Sequence, residues 1–242
     1  MVKAQQEESW KHLSAWVLLL ETILILVVFN ASSYFNTTTY SKSIDTVGVA
    51  LTALLMFWIW GNSRFRFGYD LTDLGLIASS VSRKQWVGVF AIGTLFYLVA
   101  FALEVVFPSE IKGDVTLIRL LVAAVFTFTF GPLFEELLFR GYLFKRSQDA
   151  LPSSPSSKIA AASLVSGVAF GFWHLPTPLL LLYFHDPIIP VYANLLPFVF
   201  FASLLGIFLG EIRHRTRSIL PGIFLHFCAN SMYVITLVLR LF

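Results

Sequence analysis

The chain has 242 residues, of which 57% are hydrophobic and only 13% are charged. Soluble domains usually carry about 25% charged residues, so the composition excludes an ordinary soluble protein and indicates an integral membrane protein. The formal net charge of +3 is small, and we expect no nucleic-acid partner. A single cysteine, Cys228, excludes an intrachain disulfide.

Seven segments are apolar over enough residues to predict transmembrane helices, which need about 20 mainly apolar residues each. In chain order they cover roughly residues 13–29, 45–60, 86–107, 117–144, 159–175, 191–211 and 219–240. The short apolar run 179–184 is too brief to span; it is either re-entrant or part of an eighth helix. We therefore expect an all-α, polytopic transmembrane bundle of about seven or eight helices, forming a single domain over residues 1–242.

The connections and their charges predict an orientation. Turn-forming residues mark breaks at Gly68–Gly75 and Pro152–Ser157. The first apolar run holds Glu21 and lacks a clear small-x-small cleavage site, so we interpret it as a retained helix and not as a signal peptide. With seven spans, 13 of the 17 lysines and arginines fall on one side together with the N-terminus. That bias predicts a multi-pass protein of the cell membrane with a cytosolic N-terminus.

Three of the predicted helices carry polar side chains where lipid would not tolerate them. A charge at the centre of a membrane helix costs about 2.5–3.5 kcal/mol on insertion scales, so three charges within six residues need a reason. Counting about 1.5 Å per residue from the nearest basic residues places the groups at comparable depths. The polar residues are Glu135, Glu136, Arg140, His174, His226 and Asn230.

Helical geometry assigns these residues to faces. Glu136 and Arg140 are four residues apart and can pair on one side of their helix. Glu135 is rotated about 100° away from Glu136 and can remain free of that pair. His226 and Asn230 are also four residues apart and point the same way. The last helix therefore presents an imidazole and an amide together.

Small residues near the second polar segment predict close helix packing. Ser163, Gly167 and Gly171 form a stripe of the kind that lets two helices approach. His174 follows Gly171 by three residues, so we expect it to face protein. Gly131-Pro132 can loosen the helix just before the glutamates, and backbone groups freed there need water or protein partners. This combination suggests a cavity.

The chemistry of these side chains suits hydrolysis of a peptide bond. A carboxylate in a dry setting can take a proton from water. Imidazoles can shuttle protons or bind a metal, and an asparagine amide can donate to a developing oxyanion. No histidine is followed by glutamate, so the H-E-x-x-H helix of zinc proteases is missing.

The polar segments resemble the CPBP family, the bacterial and archaeal relatives of type II CAAX prenyl proteases. The resemblance covers about residues 70–235, the protease-like core, and includes a short D-L-G-L-like stretch at residues 73–76. Three motifs in order on successive helices make it specific. They are Glu135-Glu136-x-x-x-Arg140, Phe170-x-x-x-His174 and His226-x-x-x-Asn230.

The resemblance implies an intramembrane, glutamate-dependent endopeptidase in a prokaryotic membrane. By position in the motifs, Glu135 would activate the attacking water and His174 would assist proton transfer. His226 and Asn230 would stabilise the oxyanion. The remaining two matched residues, Glu136 and Arg140, would hold the helix and tune the catalytic glutamate. The implied partners are the lipid bilayer and a membrane-associated peptide or protein substrate.

Two alternatives stay open from the residues. Two histidines with two glutamates can supply ligands for a divalent metal such as zinc. We expect that no cofactor is required, because the ligands are dispersed along the chain and Asn230 is better placed as a donor. A membrane transporter, or a non-proteolytic binding or immunity protein, can use the same polar cluster as a ligand site.

Overall fold

The computed structural model describes residues 17–27, 54, 57–59, 61–77, 81–106, 131–151, 154–175 and 191–239. Within these ranges every regular element is helical, which confirms the all-α class. A π-helical turn covers Asn62–Arg66. The longer helices are α1 (residues 17–27), α2 (Arg83–Val106), α3 (residues 131–150), α4 (Pro155–Trp173), α5 (Val191–Thr216) and α6 (Leu220–Leu239).

Four predicted segments correspond closely to α2, α4, α5 and α6. The predicted segments 45–60 and 117–144 are described only in part, and the run 179–184 lies outside the described residues. Helices are therefore present where they were expected, but the described part of the chain does not bear out the membrane spans: no helix in it is long and apolar enough to cross a membrane.

The predicted linker Pro152–Ser157 is wrong in its second half. Helix α4 begins at Pro155, after Ser154 in an extended conformation. Proline fits the first helical turn because its missing N–H would have no partner within the helix there. The hydroxyls of Ser154 and Ser157 lie 2.7 Å apart across this first turn. Ser154 and Ser157, which the sequence analysis assigned to a linker, therefore lie at the start of the helix and contact each other there.

Helix α3 is irregular and central. It begins as an α-helix at Gly131–Glu136, widens to a π-helix at Leu137–Leu143 and returns to an α-helix at Phe144–Ala150. It thus continues past the predicted end at residue 144. The six consecutive residues 138–143 are all buried, so α3 is surrounded by other parts of the protein. Segments of π-helix are rare and occur frequently at functional sites.

Small residues bring α4 and α5 into close contact, as the stripe predicted. A Cβ atom added at Gly167 would lie 2.5 Å from the backbone nitrogen of Ile207. One added at Gly206 would lie 2.7 Å from the Cα of Gly167, and one at Gly210 would lie 3.1 Å from Ser163 Oγ. Side chains larger than hydrogen would push the two helices apart at these glycines. The stripe thus fixes how deeply α4, and the histidine after it, sits in the bundle.

The predicted break at Gly68–Gly75 is a loop that docks onto the corner between α5 and α6. Gly68 and Gly75 have φ values of 68° and 76°, a region that glycine adopts at little cost. The backbone oxygen of Gly75 accepts hydrogen bonds from Ile219 N at 2.9 Å and Ser218 Oγ at 3.2 Å. Arg213 Nη2 donates to the backbone oxygen of Asp73 at 2.7 Å. These bonds anchor the start of α6.

Candidate active site

The carboxylate of Glu135 presents its two oxygens to different surroundings. Oε1 accepts a hydrogen bond of 3.3 Å from the indole nitrogen of Trp173. Oε2 lies 3.5 Å from His226 Nε2 and 3.8 Å from His174 Nε2. Oε2 is buried and has no hydrogen-bond partner within the described ranges. One oxygen is therefore held by a donor, while the other faces two imidazole nitrogens at distances longer than ordinary hydrogen bonds.

Glu136 forms the second half of the site and is completely buried. Its Oε1 lies 3.0 Å from Arg140 Nη1, and the side chains of both residues have an exposed fraction of 0%. The same oxygen lies 3.2 Å from His226 Nδ1. The Arg140 guanidinium also stacks over the ring of Phe170 at 4.3 Å, a favourable cation–π distance. Glu136 thus pairs with Arg140 on its own helix and ties that helix to α6 through His226.

Hydrogen bonding assigns the tautomers of the two histidines. His174 Nδ1 lies 2.8 Å from the carbonyl oxygen of Phe170. A carbonyl oxygen only accepts, so Nδ1 carries the hydrogen and Nε2 of the neutral ring is an acceptor. His226 Nδ1 faces the Glu136 carboxylate in the same way, which again leaves Nε2 as the acceptor. Three acceptor atoms therefore converge: Glu135 Oε2 and the two Nε2 nitrogens.

This convergence suits a water molecule. A water oxygen about 2.8 Å from Glu135 Oε2 can also reach either imidazole nitrogen, because the separations of 3.5 and 3.8 Å are shorter than twice that length. Water has two hydrogens to donate, so it can bond two of the three acceptors and keep a lone pair directed outward. The side chain of Glu135 is 17% exposed, although Oε2 itself is buried. A carboxylate oxygen in such a position can accept a proton from a water molecule that reaches it.

The end of α4 places two site residues at once. Trp173 is the last residue of the helix, and His174 caps it, with its backbone nitrogen bonded to the carbonyl oxygen of Gly171 at 3.1 Å. The Phe170 ring lies edge-on to both histidines, 4.6 Å from His174 and 5.5 Å from His226 between centroids. A buried aromatic ring thus separates and supports the two imidazoles. The sequence motifs gave no role to Trp173; its position just before His174 was the only signal.

The contacts that join the other predicted site residues do not include Asn230. It lies one turn beyond His226 on α6 and is half-buried. It lies on the same face of α6 as His226, but no hydrogen bond or ion pair within the described part of the chain joins its side chain to the glutamates or histidines. The structure brings together the other five predicted residues: Glu135, Glu136, Arg140, His174 and His226.

A zinc site is the alternative that the sequence left open. Among the described residues, no group of three or more His, Cys, Asp or Glu is arranged to hold a metal ion. Glu136 Oε1 is already committed to Arg140 and to His226 Nδ1. Zinc ligands lie about 2.0–2.2 Å from the metal. A carboxylate oxygen that is held in an ion pair would have to leave its partner to bind zinc at that distance. No step of the chemistry proposed below runs through a metal.

Comparison with known proteins defines the class to which this site belongs. Residues 117–232 match the family model of Type II CAAX prenyl endopeptidase Rce1-like proteins. This segment contains all six of the predicted site residues. This match supports a CPBP and CAAX-protease-like family and confirms the resemblance. Neither the curated proteins nor the solved structures gave a match to the chain.

Proposed function

We propose that this protein is an intramembrane endopeptidase that hydrolyses a peptide bond of a membrane-associated protein or peptide with water activated by Glu135. The observation that carries the proposal is Oε2 of Glu135, which faces two imidazole nitrogens and has no hydrogen-bond partner among the residues that the structure describes. The family of residues 117–232 supports a protease. A carboxylate oxygen that accepts no hydrogen bond can take up the proton of a water molecule, as a general base must.

The reaction begins with water bonded to Glu135 Oε2. Its oxygen attacks the carbonyl carbon of the substrate while its proton passes to Glu135, so that the carbonyl oxygen becomes an oxyanion. The C–N bond then breaks, and the leaving nitrogen takes a proton through Glu135 or His174 Nε2. The products are a carboxylic acid and an amine, which exchange the remaining water proton to become a carboxylate and an ammonium group, and Glu135 returns to its starting state. The separation of 3.8 Å between Glu135 Oε2 and His174 Nε2 supports a proton relay between these two groups through a water molecule.

Stabilisation of the oxyanion falls mainly to Asn230 in this proposal. Its amide nitrogen is a donor in every protonation state. His226 Nδ1 is engaged by Glu136, so His226 can donate to the oxyanion from Nε2 only when that nitrogen also carries a proton. The ring would then donate from both of its nitrogens. Both residues act on the transition state, where charge develops.

Membrane residence is the second part of the proposal. The composition, the distribution of lysine and arginine and the family support a multi-pass protein of a prokaryotic cell membrane with a cytosolic N-terminus. Helix α2 exposes many large apolar side chains, which a lipid environment would cover. Those that are more than half exposed include Val87, Phe90, Leu95, Leu98, Val105 and Val106.

New protein termini test the proposed activity without a known substrate. Cells carrying the wild type or Glu135→Gln at matched levels are compared by sequencing the N-termini of all membrane proteins. We expect new N-termini that depend on the wild type and disappear with Glu135→Gln. Identical sets of termini in the two strains would contradict the proposal and favour a transporter or a non-proteolytic binding or immunity protein.

A further inference from the structure

The indole nitrogen of Trp173 donates a hydrogen bond to Oε1 of the Glu135 carboxylate. We propose that Trp173 is a positioning residue, which rotates and holds this carboxylate so that Oε2 faces the water. The inference rests on the proposed endopeptidase function and adds a residue that no matched motif includes. It concerns Oε1, the oxygen that takes no part in the proposed proton transfer.

Packing fixes the indole in place. Trp173 is 2% exposed. Its ring lies 5.7 Å from the ring of Phe134 and 5.4 Å from that of Phe139, the latter edge to face. Both phenylalanines belong to α3, the helix that carries Glu135. The donor is therefore held by the same helix whose carboxylate it orients, and it cannot swing away without breaking two aromatic contacts.

The chemistry of indole suits this role. The indole nitrogen only donates, so it neither competes with Glu135 for the proton of water nor relays one. Without it, both oxygens of Glu135 would lack a donor, since Oε2 has none among the described residues. The carboxylate would then be free to rotate about its last torsion, which is a soft one. A general base must stay within hydrogen-bond reach of the proton that it takes.

Removal of the donor with the ring retained is the central test. Trp173→Phe keeps an aromatic ring, and Trp173→3-benzothienylalanine keeps the full shape but replaces the N–H by sulfur. We expect both variants to lower kcat by about tenfold or more, the scale of one hydrogen bond to a charged group, with KM little changed. Phe134→Leu is the packing control, because it loosens the packing of the indole but keeps its N–H. We expect this variant to have a lower melting temperature than the wild type but a kcat close to that of the wild type.

A spectroscopic measurement tests the hydrogen bond without activity. The chain has six tryptophans, and in a spectrum of ¹⁵N-labelled indoles the signal missing from Trp173→Phe is that of Trp173. This signal should shift in Glu135→Ala and stay in place in Glu211→Ala, a change at a carboxylate that instead pairs with Arg215.

The outcomes separate the two proposals. A wild type that cleaves, with variants of Trp173 that keep the wild-type kcat, would overturn the positioning role alone. An indole signal that ignores Glu135→Ala would overturn it as well. A wild type that cleaves nothing, while the signal does respond to Glu135→Ala, would leave the hydrogen bond in place but overturn the proposed function and with it the catalytic meaning of Trp173.

Discussion

Glu136 Oε1 lies 3.2 Å from His226 Nδ1, a contact that joins α3 to α6 across 90 positions of the chain. The same oxygen pairs with Arg140, one turn further along its own helix. Both carboxylate and guanidinium are fully buried. The contact therefore sets the tautomer of His226, and the ion pair compensates the charge that this arrangement places in the interior.

Loss of the Glu136 charge should destabilise the protein. Glu136→Gln leaves Arg140 buried without a counter-charge, a change that typically costs 3–5 kcal/mol, so we expect a clearly lower melting temperature and a lower yield of folded protein. The matched control is Glu211→Gln, which removes the same charge from the exposed i,i+4 pair with Arg215. Exposed pairs contribute about 0–1 kcal/mol. Equal melting temperatures for the two variants would contradict the structural role of Glu136.

The position of Glu136 also explains why residue 222 of α6 is a glycine. A Cβ atom at Gly222 would lie 2.7 Å from Glu136 Oε2, so Gly222→Ala must displace either the carboxylate or the helix. We expect reduced stability and reduced turnover. Gly88→Ala is the control in α2, because nothing lies within 4 Å of its Cβ position and alanine favours a helix by about 1 kcal/mol over glycine. A Gly222→Ala variant as stable and active as Gly88→Ala would contradict the close approach.

Local relations in this site could be predicted from sequence, and distant ones could not. The Glu136–Arg140 pair and the small-residue stripe of α4 follow from helical spacing alone, and the structure contains both. The bond from Trp173 to Glu135 spans 38 positions, and it depends on how α4 packs against α3. Tryptophan is apolar enough to pass as a core residue, so no pattern singled it out.

Backbone irregularities were also beyond reach of the sequence. The π-helix at Leu137–Leu143 follows the glutamates directly, yet its residues form an ordinary apolar helical pattern. The start of α4 at Pro155 was hidden because proline and serine are typical both of linkers and of first helical turns. In each case the same residue types are compatible with two backbone conformations: α-helix or π-helix after the glutamates, and linker or helix at Pro155. Tertiary packing decides which conformation forms.

Asn230 should act on the chemical step. If its amide donates to the oxyanion, Asn230→Ala should raise the barrier by roughly 2.7–4 kcal/mol and lower kcat more than it raises KM. The measurement is steady-state kinetics on a peptide derived from the new termini. An increase in KM alone, with kcat unchanged, would assign Asn230 to substrate binding instead.

Chelation tests the proposal that the reaction needs no metal. Purified protein is treated with a strong chelator, and its activity and its metal content are measured together. We expect turnover to persist after chelation, because in this proposal Glu135 takes the proton of water directly. Stoichiometric zinc that is lost together with activity, and restores activity when added back, would overturn this proposal.

Turnover by purified Glu135→Gln in lipid vesicles is the most direct test of the central claim. The substitution keeps the shape of the side chain but removes the base, so kcat should fall by about 10²-fold or more. The melting temperature should remain near that of the wild type, because Glu135 belongs to no buried ion pair with arginine or lysine among the described residues. Cleavage by this folded variant at a rate close to that of the wild type would contradict the assignment of Glu135 as the group that activates water.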